Sequence, residues 1–263
     1  MNDLEKYFRQ NNKRLIDKWV HYFDIYDRHF SKYRNKEIVI VEIGVSHGGS
    51  LQMWKEYFGS NAKIYGVDIN PNCKEFEEKN IEIFIGSQSD RKFLRDILTK
   101  IPKIDILIDD GGHTMSQQII TFEEMFSHIK DDGTYLCEDN HTSYWLRWGG
   151  GYKRRGTFIE YSKNFIDYIH AFHTRDKSLK INSFFTKLKV NDFTKTVNSL
   201  HYYDSILVIE KQKRNIPYNE ITGIPSFEQE IEVDTFMSKL SKRALLAINV
   251  VLRFFRLSGF ILK

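Results

Sequence analysis

Seven short apolar runs, rich in β-branched and aromatic residues and mostly separated by stretches of helical periodicity, constrain this chain more than any other feature. They are Ile38 to Ile43, Lys63 to Val67, Ile81 to Ile85, Ile104 to Ile108, Gly133 to Cys137, Ser199 to Tyr203 and Ser205 to Ile209. Apolar runs of that length that alternate with helices build a parallel sheet covered on both faces. The last two runs lie too close together for a crossover, so they must pair antiparallel. The expected architecture is α/β: a doubly wound, mainly parallel seven-stranded sheet with an antiparallel edge strand. Helices are expected over 11–36, over 50–58 with Ser50 as its cap, and over 90–100, 116–128 and 158–172.

The first strand runs straight into a loop holding Gly44, Gly48 and Gly49. Glycines there let the backbone turn sharply and approach a ligand, and the following helix offers its unpaired amides. The spacing is not GxGxxG, which disfavours a nicotinamide or flavin dinucleotide. Asp68 ends the second strand, where a carboxylate can accept both hydroxyls of a ribose or simply serve a turn.

Two acidic pairs, Asp109 with Asp110 and Glu138 with Asp139, end neighbouring strands. In a doubly wound sheet those ends form the ligand crevice, so the carboxylates converge and repel unless a cation or protons intervene. Oxygen ligands of this kind suit Mg²⁺ or a similar hard divalent ion. His113, three residues beyond Asp110 in DDGGHT, is placed to act as a general base; His141 in EDNHTSYW is a rival for that role. The aromatics Tyr22, Tyr26, Tyr144 and Trp145 suit either core packing or the covering of a sugar ring.

The chain has 263 residues, 41% of them hydrophobic and 28% charged, enough for one catalytic domain with terminal extensions. A net charge of +4 with both signs mixed is too weak a bias for nucleic acid as the main partner. Two cysteines without metal spacing, Cys73 and Cys137, read as packing residues in a reducing compartment. The charged first residues lack a secretory core, and Ala244 to Leu252 is far short of the roughly 20 residues of a bilayer span. A cytoplasmic protein is expected. Residues 239–263, basic and apolar, read as an amphipathic helix for a membrane surface or another subunit, a homo-oligomer included.

The segments HYFDIYDRHF, VEIGVSHGGSLQMW, YGVDIN, IDDGGH, CEDNHTSYW, GTFIEY and HYYDSILVIEK occur in an order that resembles the class I S-adenosylmethionine-dependent methyltransferases. The resemblance is narrower still to the metal-dependent, mycinamicin-type sugar O-methyltransferases, and it spans roughly Lys18 to Lys211. It implies a helical extension over 1–36, a Rossmann-like methyltransferase domain over 37–211, and a linker with a C-terminal helix over 212–263. It also implies S-adenosylmethionine contacts from Glu42, Gly44, Ser50, Asp68, Gln88 and Asp109, and metal ligation by Asp110, Glu138 and Asp139. By the same likeness His113 removes the proton, and Tyr22, Tyr144 and Trp145 meet a sugar-bearing acceptor or glycan precursor. Ser87 stands where relatives carry an acidic residue, and HTSYW departs from the macrolide enzymes, so their acceptor does not transfer. Two other readings stay open: a metal-dependent hydroxylase, although no set of two histidines and one carboxylate is evident, and a non-catalytic cofactor-binding scaffold.

Overall fold

A computed structural model describes residues 1–173, 188–227 and 236–255. Seven strands form one sheet: β1 Val39–Ile43, β2 Lys63–Asp68, β3 Ile81–Ile85, β4 Ile104–Asp109, β5 Ile129–Cys137, β6 Val197–Tyr202 and β7 Leu207–Lys211. Their order is β3-β2-β1-β4-β5-β7-β6. The first five pair parallel; β7 pairs antiparallel with β5, and the edge strand β6 pairs antiparallel with β7. The doubly wound expectation, with its antiparallel edge, describes this sheet.

Side-chain alternation decides what each face receives. In β1, Val39, Val41 and Ile43 enter one apolar cluster while Ile40 enters the other. Helices α1 Asp3–Gln10, α2 Tyr22–Phe30 and α3 Gly49–Phe58 cover the Ile40 face through Leu4, Phe23, Phe30, Trp54 and Phe58, all fully buried. Tyr26 packs edge-on against Trp54 at 5.2 Å, which fixes α2 against α3. The opposite face is covered by α4 Arg91–Leu98, α5 Met115–Met125, α6 Phe158–Ser162 and α7 Asn164–Ile169. A short α8, Asp192–Thr196, leads into β6. The basic apolar C-terminal helix is α9, Phe236–Phe255; the rest of that expected element, 256–263, lies outside the described residues. Among the described residues no helix is long and apolar enough to cross a membrane.

Three expected helices are corrected. Residues 11–20 are not helical: Ile16 and the Lys18 side chain point inward, whereas Leu15 and Trp19 are 62% and 54% exposed. Inward and outward positions therefore alternate with the period of an extended strand. The stretch 158–172 contains two short helices, because Ser162 and Asn164 bond the carbonyls of Ile159 and Tyr161 and so compete with the helical ladder. Ser50 does not cap α3; Gly48, with φ of 70°, occupies the cap and Ser50 lies inside the helix.

The register places the crevice. Ile43 of β1, Asp109 of β4 and Cys137 of β5 lie in one row, so Gly44, Asp110 and Glu138 all follow at the same rim. The chain leaves β1 toward β2 on one side and returns as β4 on the other, which opens a cleft between the two loops.

Both cysteines are free and buried. Burial, helped by Asp68, pushes the Cys73 thiol up to about 11. Neither thiol should therefore be alkylated by iodoacetamide in the native protein at mildly alkaline pH, while both should react in denaturant. Mass spectrometry would count the adducts, and rapid native labelling of Cys73 would contradict this packing.

Candidate active site

A cavity of about 290 Å³ opens at the β1–β4 rim, lined by Gly44, Ser46, Asp68, Gln88 and Asp110 and roofed by residues 15–18. Close approach explains its glycines. A Cβ on Gly44, whose φ is +95°, would lie 1.9 Å from the Asp110 carbonyl oxygen, and one on Gly111 would lie 2.0 Å from Gln88 Oε1. Asp68 holds the glycine loop open, its Oδ2 accepting the amides of Val45 and Ser46 at 2.9 Å each. Gln88 accepts the Gly112 amide at 2.7 Å and donates to Asp109 at 3.0 Å.

Not all expected cofactor residues face this cavity. Asp109 is buried behind Gln88, and burial pushes its carboxyl up to about 7. Glu42 is fully buried and accepts the Ser50 hydroxyl at 2.8 Å and the Trp54 indole at 3.1 Å. Ser50 does line the cavity, but its hydroxyl is engaged with Glu42.

The acidic centre adjoins the cavity through Asp110. One ligating atom each from Asp110, His113 and Asp139 lies within 4.8 Å of the other two, and all three residues are half-buried. His113 Nε2 sits 3.4 Å from Asp139 Oδ2 and 3.8 Å from Asp110 Oδ1. Its Nδ1 is buried without a hydrogen-bond partner among the described residues. His113 and Asp139 both adopt left-handed backbone, at φ of 54° and 53°, which costs on the order of 1–3 kcal/mol each for non-glycine residues. Thr142 ties the two together: its hydroxyl donates to the His113 carbonyl at 2.9 Å, and its amide donates to the Asp139 carbonyl at 3.0 Å.

Glu138 belongs to a layer behind these groups. It is buried, it accepts the Tyr26 hydroxyl at 2.7 Å, and both its oxygens receive the Lys18 ammonium at 2.9 Å. Lys18 also bonds Asp110 and lies 3.9 Å from Glu42, with its side chain only 3% exposed. Burial opposes its charge, but Asp110, Glu138 and Glu42 together outweigh burial and hold it above the ordinary lysine range. Sequence reasoning missed this residue, because within an expected helix Lys18 reads as a solvated charge. The alternation of Ile16 and Lys18 with Asp17 and Trp19 is the signal that could have found it.

Tyr22 is fully buried and donates to Asp139 at 2.7 Å, so it positions a carboxylate and is closed to an acceptor. Tyr144 and Trp145 are 50% and 46% exposed at the rim. His141 bonds the Ser205 hydroxyl and packs between Trp145, at 4.4 Å, and Trp19, at 5.8 Å. It forms part of an aromatic wall and lies 4.0 Å from Asp139.

Residues 41–140 match a family described as a methyltransferase domain. With the sheet order and the rim site, this match defines the chain as carrying a class I S-adenosylmethionine-dependent methyltransferase domain. Within that class it is similar to sugar O-methyltransferases. The 8-demethyl-8-alpha-L-rhamnosyl tetracenomycin-C 2'-O-methyltransferase of Streptomyces olivaceus is 32% identical over 74% of this chain and 52% of its own length. The mycinamicin VI 2''-O-methyltransferase of Micromonospora griseorubida is 31% identical over 80% of this chain and 51% of its own. The solved structure of the MycE methyltransferase with Mg, SAH and mycinamycin VI aligns with a TM-score of 0.68 at 29% identity, covering 92% of this chain and 59% of that one. The chain thus spans about half the length of these curated relatives.

Two outcomes follow from the buried charges. Lys18→Met leaves Glu138 buried without its cation and should lower unfolding free energy by about 3–5 kcal/mol, read from urea titration of tryptophan fluorescence. Glu42, pushed up to about 7 by burial, binds its proton more tightly folded than unfolded. Its contribution is therefore complete below the ordinary glutamate range and is lost as pH rises through 7. Glu42→Gln should remove that loss, gaining up to about 3 kcal/mol on wild type between pH 5 and 8; parallel pH profiles of the two proteins would refute it.

Proposed function

We propose that this protein transfers a methyl group from S-adenosylmethionine to a sugar hydroxyl of a glycoside or glycan precursor, assisted by Mg²⁺ or a similar divalent cation. Asp110 carries this reading, because it is both a wall of the cofactor-sized cavity and a member of the acidic centre. A cavity of about 290 Å³ is close to the lower end of ligand sites. Its glycine-lined approach, with Asp68 at the second strand end, suits the ribose and amino-acid parts of the cofactor.

The acidic centre fits a divalent cation. Asp110, Glu138 and Asp139 outnumber the one ammonium of Lys18, and Asp110 Oδ1 and Asp139 Oδ2 both face the His113 ring. Asp110 and Asp139 are assigned to the cation, with Glu138 as the third carboxylate, held by Lys18 and Tyr26. A cation bound there would acidify and orient neighbouring hydroxyls of the acceptor. Tyr22 fixes Asp139, and Thr142 fixes the His113 loop against it. His113 Nδ1 is sealed from solvent, so proton exchange is confined to Nε2, which takes the hydroxyl proton as the oxygen attacks the methyl carbon. That carbon leaves the sulfonium sulfur, which keeps the bonding pair. Tyr144 and Trp145 offer apolar ring faces to a sugar.

The domain is assigned to 37–211, with 1–36 leading into it and 212–263 as linker and basic helix. A cytoplasmic setting, with α9 against the inner membrane face or a second copy, completes the proposal. The similar proteins are named for antibiotic-pathway sugars, which supports a sugar acceptor and leaves free glycosides and polysaccharide precursors to be tried side by side.

Labelled S-adenosylmethionine with a panel of glycosides should give methyl transfer that stops on chelation and returns with Mg²⁺. His113→Gln should lower kcat about 10²- to 10⁴-fold while cofactor-product binding by calorimetry is kept. Transfer undiminished by chelation would sink the metal role. Cofactor binding without turnover on any acceptor would favour the scaffold.

A further inference from the structure

A set of two histidines and one carboxylate, invisible along the chain, is assembled away from the cavity. His29 of α2, His201 of β6 and Glu210 of β7 each present a ligating atom within 4.8 Å of the other two. His29 Nδ1 lies 3.3 Å from Glu210 Oε1, and His201 Nε2 lies 3.3 Å from Glu210 Oε2. A tetrahedral ion bound to nitrogen and oxygen at about 2.0–2.1 Å keeps its ligands about 3.4 Å apart, and each histidine already stands at about that spacing from one oxygen of Glu210.

The surroundings are those of a prepared site. The other nitrogen of His29 meets the Tyr203 hydroxyl at 2.9 Å, which sets the ring's orientation and gives Nε2 a partner able to accept its proton once Nδ1 gives up its bond to Glu210 and ligates. His29 is 4% exposed, while His201 and Glu210 have side chains 34% and 24% exposed, so one side remains open for entry and for a water ligand. Lys32 at 3.1 Å and the Ser199 hydroxyl at 3.1 Å also hold the Glu210 carboxylate, and Ser199 bonds His201 Nε2 at 2.9 Å. Lys32 is 47% exposed, so it can swing into water at little cost when a cation takes its place.

The geometry points to a second metal site here, for Zn²⁺ or a similar borderline transition ion, chemically distinct from the oxygen-rich centre at the rim. Imidazole nitrogens select such ions over Mg²⁺. The consequence is mechanical, because α2 carries His29 as well as Tyr22 and Tyr26, which hold Asp139 and Glu138. An ion joining His29 to β6 and β7 pins that helix to the sheet edge.

Zn²⁺ titration of the metal-stripped full chain, followed by calorimetry in excess Mg²⁺ to occupy the rim, tests the site. Wild type and Asp139→Asn should each bind one equivalent, with a raised Tm. His201→Asn and Glu210→Gln should lose that equivalent while keeping the wild-type circular dichroism. Tyr203→Phe, which leaves all three ligands in place, should weaken binding about 10- to 100-fold. No zinc bound by wild type, or an equivalent that survives His201→Asn but vanishes in Asp139→Asn, would overturn the proposal.

Discussion

A single buried ammonium makes the rim possible. Glu42, Asp110 and Glu138 come from three different strand ends, and unit charges about 4 Å apart at the effective dielectric near a protein surface interact by roughly 4 kcal/mol. Without Lys18 the parallel register that brings β1, β4 and β5 level would press like charges together inside an apolar domain. Because Lys18 lies on the stretch that roofs the cavity, the charge balance and the closure of the pocket are one arrangement. Its partners are in turn fixed: Glu42 by Ser50 and Trp54, Glu138 by Tyr26. The centre is held from both the sheet side and the helix side.

Most of the sheet was legible because short, nearly continuous apolar runs and glycine punctuation report local geometry directly. Parallel register then brings Asp110 and Glu138 to one rim with no further information. The roof was not legible. Leu15, Trp19, Tyr22 and Tyr26 fit a helical period, and that period masks the short alternation that turns Leu15 and Trp19 to water and Lys18 to three carboxylates. Tyr22 illustrates the same limit, since an aromatic residue near a site reads as a ring for stacking when its hydroxyl is the functional part. The His29, His201 and Glu210 group depends on a helix meeting two strands about 170–180 residues later, a separation that no local pattern encodes.

The left-handed backbones of His113 and Asp139 belong with these rim features. Each is individually unfavourable for a side chain with a Cβ, and each turns its residue back over the strand ends. Thr142, itself buried, is bonded to both carbonyls and converts two loops into one unit. The strain is thus borne by a tertiary contact, as is usual where a site needs side chains aimed against the local preference of the chain.

Tyr22, Tyr26 and His29 occupy α2 at spacings of four and three residues, one stripe along a nine-residue helix. Each residue inserted into or deleted from that helix rotates everything beyond it by about 100°. One such change between Tyr22 and Tyr26 would break the phase that lets Asp139, Glu138 and Glu210 be reached from the same face. The reading frame of this helix is therefore a quantity that the fold holds constant: the exposed Asp24 and Arg28 can be substituted, whereas a change of length cannot be absorbed.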